Sequence, residues 1–71
     1  MNEKAVFVKE YLEPLLQAAK LNVKGCTYVR GGRGSEAVIV ETYEECFYKI
    51  NVTADSLIAI AADVINFMKY K

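Results

Sequence analysis

The sequence predicts an α+β domain of order α-β-β-β-α, a three-stranded antiparallel meander packed against two helices. Three observations carry this prediction. Apolar residues recur at three- and four-residue spacing at both ends of the chain. Through the middle they alternate or form short β-branched runs, and a glycine cluster and a charged cluster separate those runs.

Asn2 is placed to cap a first helix in which Val8, Tyr11, Leu12, Leu15 and Ala19 share the helical spacing, with Glu3, Lys4, Glu10, Glu13 and Gln17 at other positions. Pro14 removes one backbone donor inside this pattern, so the helix kinks there or restarts with Pro14 in its first turn. Asn22 is the expected stop. Val23 to Arg30 then reads as a strand, with Thr27, Tyr28 and Val29 supplying β-branched and aromatic residues. Gly31 to Ser35 is a loop, Glu36 to Thr42 a second strand containing Val38, Ile39 and Val40, and Glu45 to Val52 a third.

With Arg30 opposite Glu36 and Thr42 opposite Cys46, one sheet face collects Cys26, Tyr28, Val38, Val40, Cys46, Tyr48 and Ile50 as the core. The other face displays Val29, Ile39 and Phe47 beside Glu41 and Lys49. Cys26 and Cys46 fall on strands separated by the middle one, roughly 9 to 10 Å apart, beyond disulfide reach. Both are expected as small, reduced core residues.

Thr53 is the expected cap of a last helix over residues 54–70, with Asp55 in its first turn and Lys69 and Lys71 in its last to complement the dipole. One face of this helix holds Leu57, Ile58, Ala61, Ala62, Ile65 and Met68, an adjoining face holds Ile60, Val64 and Phe67, and only Asp55, Asp63 and Asn66 form a polar strip. A surface helix needs an apolar stripe of little more than a third of its circumference. The excess predicts a homo-oligomer, a dimer being favoured, joined through Ile60, Val64 and Phe67. The alternative is that the first helix covers that second face within one chain.

Length and composition agree with a single domain over residues 1–71. At 71 residues and 8.0 kDa the chain buries only about 60% of its unfolded surface, near the lower limit for independent folding, which also favours self-association. With no His and two Cys, the Cys₂His₂ and Cys₄ zinc sites, the Ser-His-Asp triad and the Cys-His nucleophile are excluded, and no metal or cofactor is expected. Nine Lys+Arg balance nine Asp+Glu, so net charge gives no steering towards nucleic acid or acidic lipid. No signal peptide is readable, and the longest apolar run, Leu57 to Ala62, is far short of the ~20 residues that span a bilayer. The expected location is cytoplasmic, without a membrane partner, where Asn51-Val52-Thr53 is a glycosylation sequon in spelling alone.

The segment Arg30, Gly31, Gly32, Arg33, Gly34, Ser35 is the candidate ligand-binding feature. Its glycines allow backbone N–H groups to converge on an anion, and its two arginines suit bidentate contact with phosphate. It joins two antiparallel strands and lacks the Gly-Lys-Ser/Thr ending of nucleotide loops, so a plain hairpin tip is the competing reading. Residues 20–35 carry Lys20, Lys24, Arg30 and Arg33 without an acid, and residues 36–45 carry Glu36, Glu41, Glu44 and Glu45 without a base. Part of this dipolar layout is expected to pair within the chain, Arg30 with Glu36 for example, and the rest to orient a protein partner.

In element order and length the chain is similar to the double-stranded RNA-binding domain. The stretch matching the start of that family's last helix, Thr53-Ala54-Asp55-Ser56-Leu57-Ile58, has none of the lysines that grip phosphates there, so no binding residue is carried over. The same order occurs among small phage-encoded inhibitors of host defence. The sequence thus points to a non-enzymatic interaction module that self-associates through its last helix and binds a macromolecule or ligand. The alternative is a protein that binds phosphate, nucleotide or nucleic acid through residues 30–35. No spacing nominates a catalytic pair.

Overall fold

A computed structural model describes residues 2–70. The order is helix, three strands, helix. A helical arm is built from α1 (Glu3–Phe7), a π-helical turn (Val8–Leu12) and α2 (Glu13–Ala18). It is followed by β1 (Gly25–Arg30), β2 (Glu36–Glu41), β3 (Phe47–Asn51) and α3 (Leu57–Lys69). The sheet order is β1-β2-β3, antiparallel throughout, an α+β fold.

The arm begins as the sequence predicts. Asn2 Oδ1 accepts the N–H groups of Lys4 at 2.8 Å and Ala5 at 3.3 Å. The break ahead of Pro14 is a π turn: Pro14 enters at the start of α2, and the turn before it widens so that the Glu13 N–H reaches the Val8 carbonyl. Val8, Leu12 and Leu16 nonetheless stay aligned and wholly buried. The arm stops earlier than Asn22, because Lys20 takes the left-handed conformation (φ 59°). Leu21 then donates to the Leu16 carbonyl and Lys20 to that of Gln17, the Schellman arrangement.

The register is the expected one, Arg30 opposite Glu36 and Val38 opposite both Tyr28 and Ile50, with the Thr42 N–H bonded to the Cys46 carbonyl at 2.9 Å. Alternation then places Cys26, Tyr28, Val38, Val40 and Ile50 against the helices, with Tyr48 partly buried beside them. Cys46 departs from the expected core face. It is exposed at the hairpin tip, where its N–H bonds Thr42 Oγ1 at 3.2 Å, while Cys26 is buried with its thiol directed at the Val8 carbonyl. Burial pushes the Cys26 thiol up to about 11, so it stays protonated at neutral pH.

The start of α3 is also corrected. Thr53 does not cap it. Its hydroxyl accepts from the Glu36 N–H and donates to the Glu36 carbonyl, extending the sheet by one step. Ala54 then turns at φ 64°, and Ser56 caps the helix by accepting the Ala59 N–H at 3.2 Å. Asp55 therefore precedes the first turn. Lys69 lies in the last turn as expected, and Lys71 lies outside the described residues.

The phase of α3 overturns the interface reading. Ile60 and Val64 are wholly buried within the chain and Met68 nearly so, while Ile58, read on one face with Met68, is 83% exposed. Phe67 packs edge-on against Tyr48 with ring centroids 5.6 Å apart. Ile60 and Val64 are thus core residues and offer no surface to a second chain. One face of the sheet is covered by both helical segments, and the other is open. Among the described residues no helix is long and apolar enough to cross a membrane.

Candidate functional site

The hairpin between β1 and β2 is well defined by its own bonds. The Gly31 N–H donates to the Ser35 carbonyl at 2.9 Å, and Ser35 returns both its N–H and its hydroxyl to the Gly32 carbonyl. Arg33 (φ 60°) and Gly34 (φ 75°) take successive left-handed conformations at the tip. A Cβ at Gly31 would lie 2.5 Å from the Ser35 hydroxyl, which would have to turn away. The tip projects Arg33 into solvent, while Arg30 stands at the base.

Two cavities meet at that base. On the open sheet face, a cavity of about 440 Å³ has Val29 and Ala37 as its apolar floor and Arg30, Ser35, Lys49 and Asn51 around it. On the helix-covered side, a cleft of about 610 Å³ lies between the start of the arm and the start of α3, with Arg30 and Glu36 between them. Of the expected ligand-binding residues, Arg30, Gly31 and Ser35 line the sheet-face cavity, whereas Gly32, Arg33 and Gly34 form the tip beyond it. Lys49, Asn51 and Thr53 were not anticipated as site residues. Strand alternation does place Lys49 and Asn51 on the open face, and the pairing of Ala37 with Asn51 brings them to the hairpin end.

Glu36 governs the charge at this junction. Its carboxylate accepts from Lys4 Nζ at 2.8 Å, from the Tyr28 hydroxyl and from the Ala54 N–H at 3.0 Å. The Lys4 bond, then the Tyr28 and Ala54 bonds, hold the Glu36 carboxyl down at about 2, and the same contact raises the Tyr28 phenol above its ordinary value. Glu36 therefore pairs with Lys4 instead of the expected Arg30. Lys9 pairs with Glu13 at 2.7 Å and Lys24 with Glu41 at 3.7 Å. Among the described residues, Lys20, Arg30, Arg33, Lys49 and Lys69 have no carboxylate partner.

Nearby, Asp55 sits beside Asp63. A hydrogen bond shared with Asp63, followed by burial, raises the Asp55 carboxyl above its ordinary value, and its Oδ2 is buried with no partner among the described residues. No group of three or more Cys, Asp and Glu side chains among the described residues is placed to hold a metal ion. No family model, curated protein or solved structure matches this chain.

Proposed function

We propose that this chain is a non-enzymatic binding module that holds a phosphate-bearing polyanion at the β1–β2 hairpin. One observation carries the reading: of the cations that have no carboxylate partner among the described residues, Arg30 and Lys49 line the cavity at the base of the β1–β2 hairpin and Arg33 stands at its tip, while Lys20 and Lys69 lie elsewhere. Uncompensated cations around a cavity are the electrostatic footprint of a partner that supplies the opposite charge. Arginine adds a planar fork that matches two phosphate oxygens at once.

The test is binding of short nucleic acids across a salt titration. Binding is expected at low salt and is expected to weaken steeply as salt rises, by close to one logarithmic unit of affinity per logarithmic unit of salt for each phosphate contacted. The double variant Arg30→Ala, Arg33→Ala should lose most of the affinity and flatten the salt slope by about two such units. Absence of binding to single strands and duplexes alike at low salt would overturn the proposal.

Self-association remains a second reading, through a different surface from the expected one. On the arm, Phe7 stacks on Tyr11, and Tyr11 (66% exposed) and Leu15 (51%) leave an apolar ridge at four-residue spacing outside the core. Light scattering at several concentrations, at low and high salt, should then find a salt-insensitive dimer that Tyr11→Asp, Leu15→Asp dissociates. A wild-type mass of 8.0 kDa throughout removes this reading.

A further inference from the structure

The open face of the sheet is a short platform with an unusual distribution of groups. Its side chains stand in three rows across the strands: Val29, Ala37 and Asn51 at the hairpin end, Thr27, Ile39 and Lys49 in the middle, and Gly25, Glu41 and Phe47 at the far end. Phe47 is 65% exposed although it lies in a strand, with Glu41 directly opposite it and Gly25, which has no side chain, beyond Glu41 in the same row. Glu41 is the single acid in this grid, and Lys24 already pairs with it. The free charge on the face itself is therefore positive and sits at Lys49. Arg30 stands at the base of the neighbouring hairpin, where it lines the cavities on both sides of the sheet, and Arg33 stands at the hairpin tip. At about 3.4 Å per strand residue, Phe47 stands about 14 Å along β3 from Asn51.

We propose that this face binds single-stranded nucleic acid. The backbone runs along β3, with phosphates at Arg30, Arg33 and Lys49, and an unpaired base stacks on the Phe47 ring. The inference rests on the phosphate-binding reading of the hairpin and adds to it a second, non-ionic contact. A positively charged track beside an exposed aromatic ring is what sequence-tolerant single-strand binding needs, since every base offers a π-face. The platform accommodates two to three nucleotides, comparable to other sheets that stack bases. A duplex keeps its bases stacked internally and has none to place on Phe47, which is why the inference is specific to single strands.

The experiment compares oligo(dT) with the oligo(dA)·oligo(dT) duplex by fluorescence anisotropy at low salt. Phe47→Ala is expected to weaken oligo(dT) binding about 5- to 100-fold, by loss of stacking, and to leave the duplex unaffected. Phe47→Trp restores oligo(dT) affinity, and since the chain has no other Trp, its fluorescence should be quenched on binding oligo(dT). If Arg30→Ala, Arg33→Ala weakens oligo(dT) while Phe47→Ala leaves it unchanged, the hairpin reading survives and the platform reading falls. If neither nucleic acid binds, both fall. If Phe47→Ala instead lowers the solution mass, the face is covered by a second copy of the chain and the inference is overturned.

Discussion

Val64→Asp is expected to abolish cooperative folding, with no urea transition and no native near-ultraviolet dichroism. Val64 is wholly buried, in a cluster that joins Val8, Leu12 and Leu16 of the arm to Val38 and Val40 of the middle strand and to Ile60 and Met68 of its own helix. A carboxylate placed there meets no donor and must either remain charged in an apolar setting or take up a proton, and both routes cost several kcal/mol. A domain of this length holds on the order of 4–10 kcal/mol in total, so little or no native state survives. Ile60→Val, which removes one methylene from the same layer, should cost about 0.5–1.5 kcal/mol and stay folded. Ile58→Asp, on the same helix at 83% exposure, should be neutral to within about 0.5 kcal/mol. A folded, merely dissociated Val64→Asp variant would overturn this packing and reinstate α3 as an interface.

The mistaken phase of α3 has a physical origin. Apolar residues extend around most of the helix, so hydrophobic spacing alone does not locate the centre of the buried arc. Ile58 and Ile60 are the same residue type with opposite fates. The usable signal was the polar side: advancing 100° per residue, the direction opposite Asp63, Asn66 and Lys69 runs through Ile60, Val64 and Met68. Asp55 was misplaced separately: the sequence places it in the helix, and the chain places it before the cap. That error began at Thr53, whose side chain suits a cap and was claimed instead by the Glu36 backbone, 17 residues away. Strand register was legible because the alternation of Val38 and Val40 against Ile39 leaves one consistent pairing across both hairpins.

The site divides along the same line. The hairpin was visible from its glycines and arginines, which act locally. The absence of an intrachain partner for Arg30 was not visible, since it depends on Lys4 reaching Glu36 across 32 residues. A charged residue's nearest neighbour in sequence is a poor guide to its partner when a helix end folds over the sheet. In this chain that one exchange, Lys4 for Arg30, is what leaves a cation free beside the sheet-face cavity.

Glu36→Gln is expected to lower stability at neutral pH and to remove much of its acid dependence. The carboxylate links four segments: Lys4 on α1, Tyr28 on β1, its own strand β2, and the Ala54 turn before α3. The glutamine amide keeps one acceptor oxygen but loses the charge that strengthens the Lys4 and Tyr28 bonds. A carboxyl whose folded value is about 2, below its ordinary 4.5, binds fewer protons in the folded than in the unfolded chain. Its contribution is therefore complete above pH 4.5 and is lost progressively as pH falls towards 2. Asp55 acts in the opposite sense: its value is raised above 3.8, so protonation near that pH favours the fold and partly offsets the loss at Glu36. Asp55→Asn removes the offset and should steepen the acid decline that Glu36→Gln flattens. Urea midpoints measured from pH 7 down through this window separate the two contributions. Parallel curves for wild type and Glu36→Gln would mean that the Lys4–Glu36–Tyr28 junction is not formed in solution.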